Sequence, residues 1–533
     1  MSGGFGGIFV ARRVWPFVLA GALIACAEAP PAPDVVEVAA PRPTVPARYR
    51  ASGLGAAGYT AVHLFDWRWD DIASECESVL GPAGFKAVQV SPPNEHSRTP
   101  NQDWSQRYQP VSYALTRSRS GTEAEFVRMV QRCRAVGVDV YVDAVLNHMT
   151  NFPSPGTGSA GTVYSKYRYP GLYDETDFHA PCALTDYRVA AQVQDCELYS
   201  LPDLRTEKPR VRRVLADYLI ALARVGVAGF RFDAAKHIQQ ADVDAILDTV
   251  NTEVQRLGQP VPYVFLEISA GRDDVVQPVD YYGVGYTSGG AADVTEFTYR
   301  GIADKFTRRG GQSLHQLSPT GAAGAQFSEA AWGLLPSDKA VVFLQNHDTQ
   351  RECGLGYQQG DIFRLANVFM LAHPYGYPSV LSGFAFRCPE QRSEGPPRDP
   401  EGWTTRVVCA SDWAAAVTGD WVCEHRDPAI RAMVGFRRRT AGAPVTRWWD
   451  NGANAIAFSR GALGFVAINR ESQRVEAVVP TALPAGRYCD LLSGGRVDGV
   501  CRGETVEVRA DGTIALRLPA DRALAIDTST RRD

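Results

Sequence analysis

The chain of 533 residues is too long for a single hydrophobic core, so two or more structural units are expected. Its composition, 45% hydrophobic and 21% charged, is typical of soluble globular proteins and identifies no activity by itself. The formal net charge of -4 argues against a nucleic acid or another polyanion as the partner.

Residues 1–26 have the pattern of an export signal. Arg12 and Arg13 precede the apolar residues 14–25, which are too few to cross a bilayer as a mature helix. Residues 23–26 (LIAC) resemble a bacterial lipobox, in which a lipidated Cys26 would anchor the protein to a membrane; cleavage nearby without an anchor is the alternative. We therefore expect a protein exported from a bacterial cell, either secreted or held as a cell-envelope lipoprotein. Residues 27–50, rich in Pro and Ala, predict a linker.

Cysteine usage also favours export. The chain has 11 cysteines, and setting Cys26 aside as the signal cysteine leaves an even number, which suits disulfides in an oxidising compartment. No CxxC spacing occurs among them, which argues against a zinc site.

From residue 59 onward, short apolar runs alternate with longer amphipathic stretches. The eight runs are residues 59–65, 87–91, 138–145, 227–232, 264–266, 294–297, 340–344 and 379–381. Helices are expected at residues 123–136, 209–225, 242–257 and 361–373. Apolar strands joined by helical crossovers predict a parallel sheet, and eight such units predict an α/β fold of the closed (β/α)8 TIM-barrel type.

Two departures from this alternation predict the domain boundaries. About eighty residues separate the third run from the fourth, roughly twice the normal length, which predicts a small inserted domain at residues 147–205. From residue 443, strand-like runs alternate with Gly/Asn turns, so residues 443–533 are expected to form a C-terminal all-β sandwich domain. The barrel then comprises residues 51–146 and 206–442.

Three carboxylates, Asp233, Glu267 and Asp348, follow three different apolar runs. The carboxyl ends of barrel strands meet at one rim, where the reacting groups of such enzymes lie. A carboxylate just past an apolar strand is costly unless it is paired or functional, and each one taken singly is equally a helix cap or a salt-bridge partner. Three on one rim favour glycoside cleavage, which needs a nucleophile, a proton donor and charge that stabilises an oxocarbenium-like transition state.

Four ordered segments around these residues resemble the signature of the α-amylase family, the thirteenth family of glycoside hydrolases. They are residues 143–148 (DAVLNH), 229–237 (GFRFDAAKH), 265–267 (FLE) and 343–348 (FLQNHD). Further segments resemble the animal and actinobacterial branch of the family: residues 63–67, 88–94, 107–113 and 373–376. The likeness runs from about residue 57 to the C-terminus.

The resemblance implies a monomeric, retaining, endo-acting hydrolase of α-1,4-glucosidic bonds in starch, glycogen and maltooligosaccharides. Asp233 would be the nucleophile, Glu267 the general acid and base, and Asp348 the residue that holds the sugar ring distorted. Arg231 would keep Asp233 ionised, although a plain structural ion pair is its alternative role. The other sugar contacts that the resemblance implies are Trp104, Tyr108, Gln109, His148, Lys236, His237 and His347.

The resemblance also implies a structural calcium ion. Asn147 and Asp203 would be side-chain ligands of Ca²⁺, and Gln194 and His237 would supply backbone carbonyls. The alternative is that Asn147 caps a strand and Asp203 lies in a turn. Chloride-activated relatives carry a second basic residue where Ser379 stands here, so we expect no chloride requirement.

Three disulfides follow from the same resemblance: Cys76 with Cys133, Cys182 with Cys196, and Cys489 with Cys501. Cys409 is also expected to pair with Cys423, which leaves Cys353 and Cys388. Residues 389–403 match no element of the family and are expected to form a surface loop.

Two other functions share parts of this pattern. A transglycosylase on the same barrel would have the same three carboxylates, and the sequence separates it weakly from a hydrolase. A non-catalytic binding protein would lack a carboxylate, and none is missing. The α-glucan hydrolase is therefore favoured.

Overall fold

The computed structural model describes residues 49–320 and 326–532. The predicted export signal, the predicted lipidation site Cys26 and the linker up to residue 48 lie outside the described residues. Within the two described ranges, no helix is long and apolar enough to cross a membrane.

Eight parallel strands close into a barrel, which confirms the predicted fold. In chain order they are β1 (Ala61–Leu64), β2 (Ala87–Val90), β3 (Asp139–Val145), β4 (Gly229–Asp233), β5 (Tyr263–Leu266), β6 (Asp293–Thr295), β7 (Ala340–Val342) and β8 (Tyr377–Ser382). Strand β8 closes the barrel on β1, with Ser379 opposite Ala61. Most strand residues are buried on both faces, and for this reason the strands read as continuous apolar runs.

Helices follow several of the strands. Seven of the helices in the described residues are Trp69–Glu75, Glu123–Ala135, Pro209–Val225, Gln240–Arg256, Ile302–Thr307, Asp361–Ala372 and Pro428–Arg439. Three others are Gly81–Ala83, Ala190–Asp195 and Glu329–Trp332. Their ends follow local rules: Thr122 and Glu125 form a capping box, and Gly226 ends its helix in the left-handed conformation.

The inside of the barrel is a packed core. Six of its side chains form one cluster: Ala61, Ala87, Tyr141, Phe265, Val341 and Tyr377. Gly229, at the start of β4, leaves room for this packing, because a Cβ there would lie 2.7 Å from the Tyr141 ring and from the carbonyl oxygen of Tyr263. A larger residue would push β4 away from β5, and β4 carries Asp233.

The segment between β3 and the helix Pro209–Val225 is the inserted domain. It contains the hairpin of Gly156–Thr157 with Val163–Tyr164 and the helix Ala190–Asp195. Its two ends pair with each other, since Leu204 N–H donates to the Asn147 carbonyl at 2.9 Å and Met149 N–H donates to that of Pro202 at 3.1 Å. The insert therefore begins and ends at the catalytic rim of the barrel.

The C-terminal domain is all β, as predicted. Its main strands are β9 (Val445–Asp450), β10 (Ala455–Arg460), β11 (Gly464–Asn469), β12 (Val475–Pro480), β13 (Gly486–Cys489), β14 (Thr505–Val508), β15 (Thr513–Leu518) and β16 (Arg522–Asp527). Strands β9, β10, β11 and β16 form one sheet, while β12 pairs with β15 and β13 with β14. Side chains such as Phe465, Tyr488 and Leu516 form a core separate from that of the barrel.

Five disulfides join the cysteines in the expected pairs. They are Cys76 with Cys133, Cys182 with Cys196, Cys353 with Cys388, Cys409 with Cys423, and Cys489 with Cys501. Each closes a loop of between 12 and 57 residues, which restricts the unfolded chain.

Glu424 makes the stability of this fold depend on pH. The side chain is 1% exposed and accepts the Gly383 N–H at 3.3 Å, next to the end of β8. Burial raises its pKa from 4.5 to about 7. The folded state thus holds this proton more tightly than the unfolded state, and the resulting stabilisation is full below pH 4.5 and is lost as the pH rises through 7.

We expect Glu424→Gln to remove this dependence, because the amide does not ionise. The unfolding free energy of the wild type relative to the variant should fall by about 3 kcal/mol from pH 4.5 to pH 8, measured by urea denaturation. A difference that stays constant over this range would contradict the assignment.

Candidate active site

The three predicted carboxylates lie at one rim of the barrel. Asp233 is the last residue of β4, and Glu267 follows β5 directly. Asp348 lies in the loop that follows β7. All three line one pocket of about 600 Å³. The strand ends therefore bring together side chains that are far apart in the sequence.

Arg231 joins two of these carboxylates to a third acid. Its Nη1 lies 2.9 Å from Asp233 and 2.6 Å from Asp143, and its Nη2 lies 2.8 Å from Glu267. Arg231 is 3% exposed and Asp143 is fully buried. The predicted contact with Asp233 is present, but Arg231 is shared among three acids.

Shared use of one cation determines the protonation of the site. Burial raises the pKa of Asp233 well above its ordinary range, and although Arg231 opposes this, Glu267 and Asp143 add to it. Partial desolvation at the pocket wall also raises the pKa of Asp348, to about 7, and the charge of Glu267 adds to the shift. One guanidinium cannot neutralise four neighbouring carboxylates, so the cluster retains a proton near neutral pH.

Aromatic rings form the wall beside these acids. Tyr108 stacks on His347 with ring centroids 4.9 Å apart, and Phe65 stacks on the other side at 4.9 Å. The Tyr108 hydroxyl donates to Asp143 at 2.9 Å, so the ring is fixed in place. Burial lowers the pKa of His347 well below its ordinary range, so this imidazole is neutral. Trp104 lies edge-on to Tyr108 at 6.0 Å, which places a second aromatic face at the rim.

The remaining predicted sugar contacts also line the pocket. Gln109 accepts the Thr150 hydroxyl at 3.1 Å, and one ring nitrogen of His148 contacts the Tyr108 carbonyl at 2.9 Å. Lys236 donates to the Ser269 carbonyl at 2.7 Å. His237 lines the same pocket. Arg231 alone among the predicted substrate contacts is not a lining residue, because it lies beneath the acids.

Sequence reasoning missed two tyrosines of the inserted domain that line the pocket, Tyr187 and Tyr199. Lys236 Nζ lies 4.5 Å from the centroid of the Tyr187 ring. Tyr199 is 84% exposed and has a positive φ of 51°, which turns an aromatic side chain toward solvent at the cleft. Tyr187 precedes Cys196 in the sequence and Tyr199 follows it. Neither lies in a segment that resembles the family signature, so no sequence pattern identified them.

The four predicted calcium residues lie in one neighbourhood. Asn147 and Asp203 are both buried, and the Asn147 amide donates to Asp203 at 3.1 Å. The His237 ring contacts the carbonyl oxygen of Val193, the residue before Gln194, at 2.7 Å. His179 connects the two pairs, at 2.7 Å from Asp203 and 3.9 Å from Asp195, the residue after Gln194.

The residues present fit a hard cation. Their donors are a carboxylate, an amide and backbone carbonyls, which are oxygen ligands that Ca²⁺ prefers. Burial raises the pKa of Asp203 to about 7, although His179 opposes this shift. A different group, His63, Asp143 and His347, also brings its ligand atoms within 4.8 Å, but Arg231 beside Asp143 disfavours a second cation there.

Ser379 lies close to Arg231 and Asn346. It lines a small cavity of about 20 Å³ together with Arg231 and Asn346. This space has the size of a single water molecule. Arg231 is the only cationic residue lining it, and its charge is already shared by carboxylates.

The chain is similar to known proteins of the α-amylase family. The chain matches the α-amylase catalytic domain over residues 82–383 and the α-amylase C-terminal all-β domain over residues 448–529. An α-amylase-related protein of Drosophila melanogaster is 41% identical over 473 residues, which cover 87% of this chain and 91% of the relative. A structure of α-amylase I from Eisenia fetida, a variant in complex with maltohexaose, superposes with a TM-score of 0.79 at 35% identity and covers 90% of this chain and 98% of that one.

The fold and the site define a glycoside hydrolase. The chain belongs to the α-amylase family, the thirteenth family of glycoside hydrolases.

These comparisons correct one expectation. Relatives at this level of identity include proteins of fruit flies and an earthworm, so the prediction of a protein exported from a bacterial cell, secreted or as an envelope lipoprotein, is wrong. A basic start followed by a short apolar run reflects how a segment partitions at a membrane, and this physics carries no information about the source of the chain.

Proposed function

We propose that the protein is a retaining, endo-acting α-amylase that cleaves internal α-1,4-glucosidic bonds in starch-like glucans. The observation that carries this proposal is the contact of Asp233 and Glu267 with the two terminal nitrogens of one guanidinium, at 2.9 and 2.8 Å. Contact with one guanidinium keeps the two carboxylates near each other, and a retaining mechanism needs its carboxyl groups about 5 to 5.5 Å apart. Inverting enzymes need a gap of about 6.5 to 9.5 Å.

In the proposed reaction, the proton that the cluster retains lies on Glu267, so the ionised Asp233 attacks the anomeric carbon while Glu267 protonates the leaving oxygen. Glu267 then takes a proton from the water that releases the glycosyl group, so the α-configuration is retained. Glu267 is well placed for this, since its second oxygen accepts the Ala234 N–H at 2.9 Å and its carboxyl group is therefore fixed. Asp348, 39% exposed at the opening of the pocket, would bind sugar hydroxyls.

The pocket favours a long glucan as substrate. Tyr108 and Trp104 on the barrel side and Tyr187 and Tyr199 on the insert side offer apolar ring faces along one open cleft. Sugars bind such faces through their C–H groups. A cleft with aromatic rings along its length can bind the interior of a glucan chain, which supports internal cleavage.

Two tests separate this proposal from its alternatives. With soluble starch, fast loss of iodine colour relative to new reducing ends supports internal cleavage, and the reverse would indicate an exo-acting enzyme. Product analysis on maltooligosaccharides distinguishes hydrolysis from transglycosylation, because a transglycosylase yields chains longer than the substrate.

Glu267→Gln should abolish proton donation while it keeps the size of the side chain. We expect kcat to fall by about 10³-fold, with the melting temperature unchanged or raised, since a buried charge is removed. Glu476→Gln, an exposed exchange on β12, is the matched control and should keep wild-type activity. Turnover of the Glu267 variant at the wild-type rate would contradict its assignment.

We also propose that Asn147, Asp203 and the carbonyls of Gln194 and His237 hold a structural Ca²⁺. When bound, the ion would add positive charge beside the buried carboxylate of Asp203. The residues themselves connect the two ends of the insert with the segment just after Asp233, because His237 follows that residue by four positions. These residues would keep the inserted domain against the barrel, and the cleft lies between the inserted domain and the barrel.

Chelation tests this site. Removal of Ca²⁺ should lower the melting temperature by about 5 °C or more, and added Ca²⁺ should restore it. Asp203→Asn should lose most of this response, whereas Asp511→Asn, at an exposed turn of the C-terminal domain, should keep it. A melting temperature that is indifferent to chelator and to Ca²⁺ would exclude the ion.

Activity should not require chloride, because Ser379 supplies no second cation beside Arg231. The measurement compares kcat in chloride-free buffer with kcat after addition of sodium chloride, both at one ionic strength. Strong activation by chloride would show that the anion is held by other groups.

A further inference from the structure

A second pocket, of about 390 Å³, lies where Trp403 and its neighbours pack on the segment before the helix Glu123–Ala135, and it shares no lining residue with the catalytic pocket. Four arginines line it: Arg68, Arg117, Arg119 and Arg406. We refer to these four residues as the arginine pocket. No part of the proposed reaction uses them.

The four guanidinium groups lack carboxylate partners. In the part of the chain that the structure describes, none of them forms an ion pair within 4.0 Å. The two acids that line the pocket hold backbone groups instead: Glu125 accepts the Thr122 N–H at 2.7 Å, and Asp399 accepts the Trp403 N–H at 2.8 Å. The pocket therefore carries an excess of positive charge.

Arg119 has hydrogen-bond donors that no acceptor satisfies. It is 3% exposed, and its Nη1 donates to the carbonyls of Gln102 and Asp103 at 3.1 and 3.3 Å. Its Nε and Nη2 have no hydrogen-bond partner, and neither does Nε of Arg117. Buried donors without acceptors are costly, so such groups usually serve a ligand. Burial lowers the pKa of Arg119 to about 9, and the side chain is still charged at neutral pH.

Several guanidinium groups around one cavity suit a tetrahedral oxyanion. Each guanidinium presents planar, paired donors that match phosphate oxygens. A phosphate group has enough oxygens to accept from several arginines at once, whereas a single chloride cannot contact four of them around a space of this size. We propose that the arginine pocket binds a phosphate group, carried either by inorganic phosphate or by a sugar phosphate.

Arg119 also connects this pocket to the catalytic cleft. The two carbonyls that it holds belong to the residues just before Trp104, and Trp104 lines the catalytic pocket. A phosphate group that fixes Arg119 therefore also fixes the backbone that carries Trp104. This consequence rests on the proposed function, because its readout is the binding of a glucan.

Calorimetric titration with inorganic phosphate, at constant ionic strength, tests the site directly. We expect binding to the wild type and at least about tenfold weaker binding to Arg406→Gln, which loses a charge-assisted donor. Arg406 is exposed, so this variant should fold, and Arg119→Gln provides a second case. Arg509→Gln, an exposed exchange in the C-terminal domain, is the control and should bind phosphate like the wild type.

The outcomes separate the two sources of the phosphate group. Binding of both inorganic phosphate and glucose 6-phosphate assigns the pocket to the phosphate group itself, and binding of glucose 6-phosphate alone assigns it to phosphate esters. Wild-type affinity in both arginine variants, or binding of neither compound, overturns the proposal.

A kinetic measurement tests the connection to Trp104. Phosphate should lower KM for a maltooligosaccharide in the wild type but not in Arg119→Gln. An unchanged KM while phosphate is bound overturns the connection, and an absence of any hydrolysis while phosphate is bound counts against the proposed function and leaves the phosphate site standing.

Discussion

The guanidinium of Arg231 contacts acids from three neighbouring strands, and the geometry of the site depends on these contacts. Asp143, Asp233 and Glu267 all lie within 2.9 Å of its terminal nitrogens. Buried carboxylates at such short range repel one another strongly in a medium of low polarity. Arg231 reduces this repulsion without cancelling it, which leaves the cluster holding a proton that glycoside cleavage can use.

Strand register brings Arg231 to its partners. On neighbouring strands of the barrel, Arg231 lies opposite Asp143 on β3 and opposite Phe265 on β5. Side chains alternate between the two faces of a strand, so a slip of one residue would turn Arg231 out of the barrel and leave the acids without a cation. The packing at Gly229 holds β4 in this register from the opposite end of the strand.

Different groups of residues hold the two walls of the cleft in place. On the insert side, Asp203, Asn147 and His237 bring the inserted segment against the rim. On the barrel side, Arg119 holds the backbone before Trp104 and also lines the arginine pocket. The proposed calcium site would therefore act on one wall, and the proposed phosphate site on the other.

The sequence alone determined much of this protein. Eight apolar runs at barrel spacing predicted the strands, and the acids at the ends of three runs predicted the rim, because three charges placed just past buried strands are costly unless they are paired or functional. Features outside these periodic or signature segments could be identified only from the tertiary structure. Sequence suggested that Arg231 serves Asp233, but only the register of β3, β4 and β5 showed that Asp143 and Glu267 share it. Tyr199 and the arginine pocket were likewise decided by the folded chain, since their members are brought together by loops, and loop geometry is set by long-range contacts that no local pattern records.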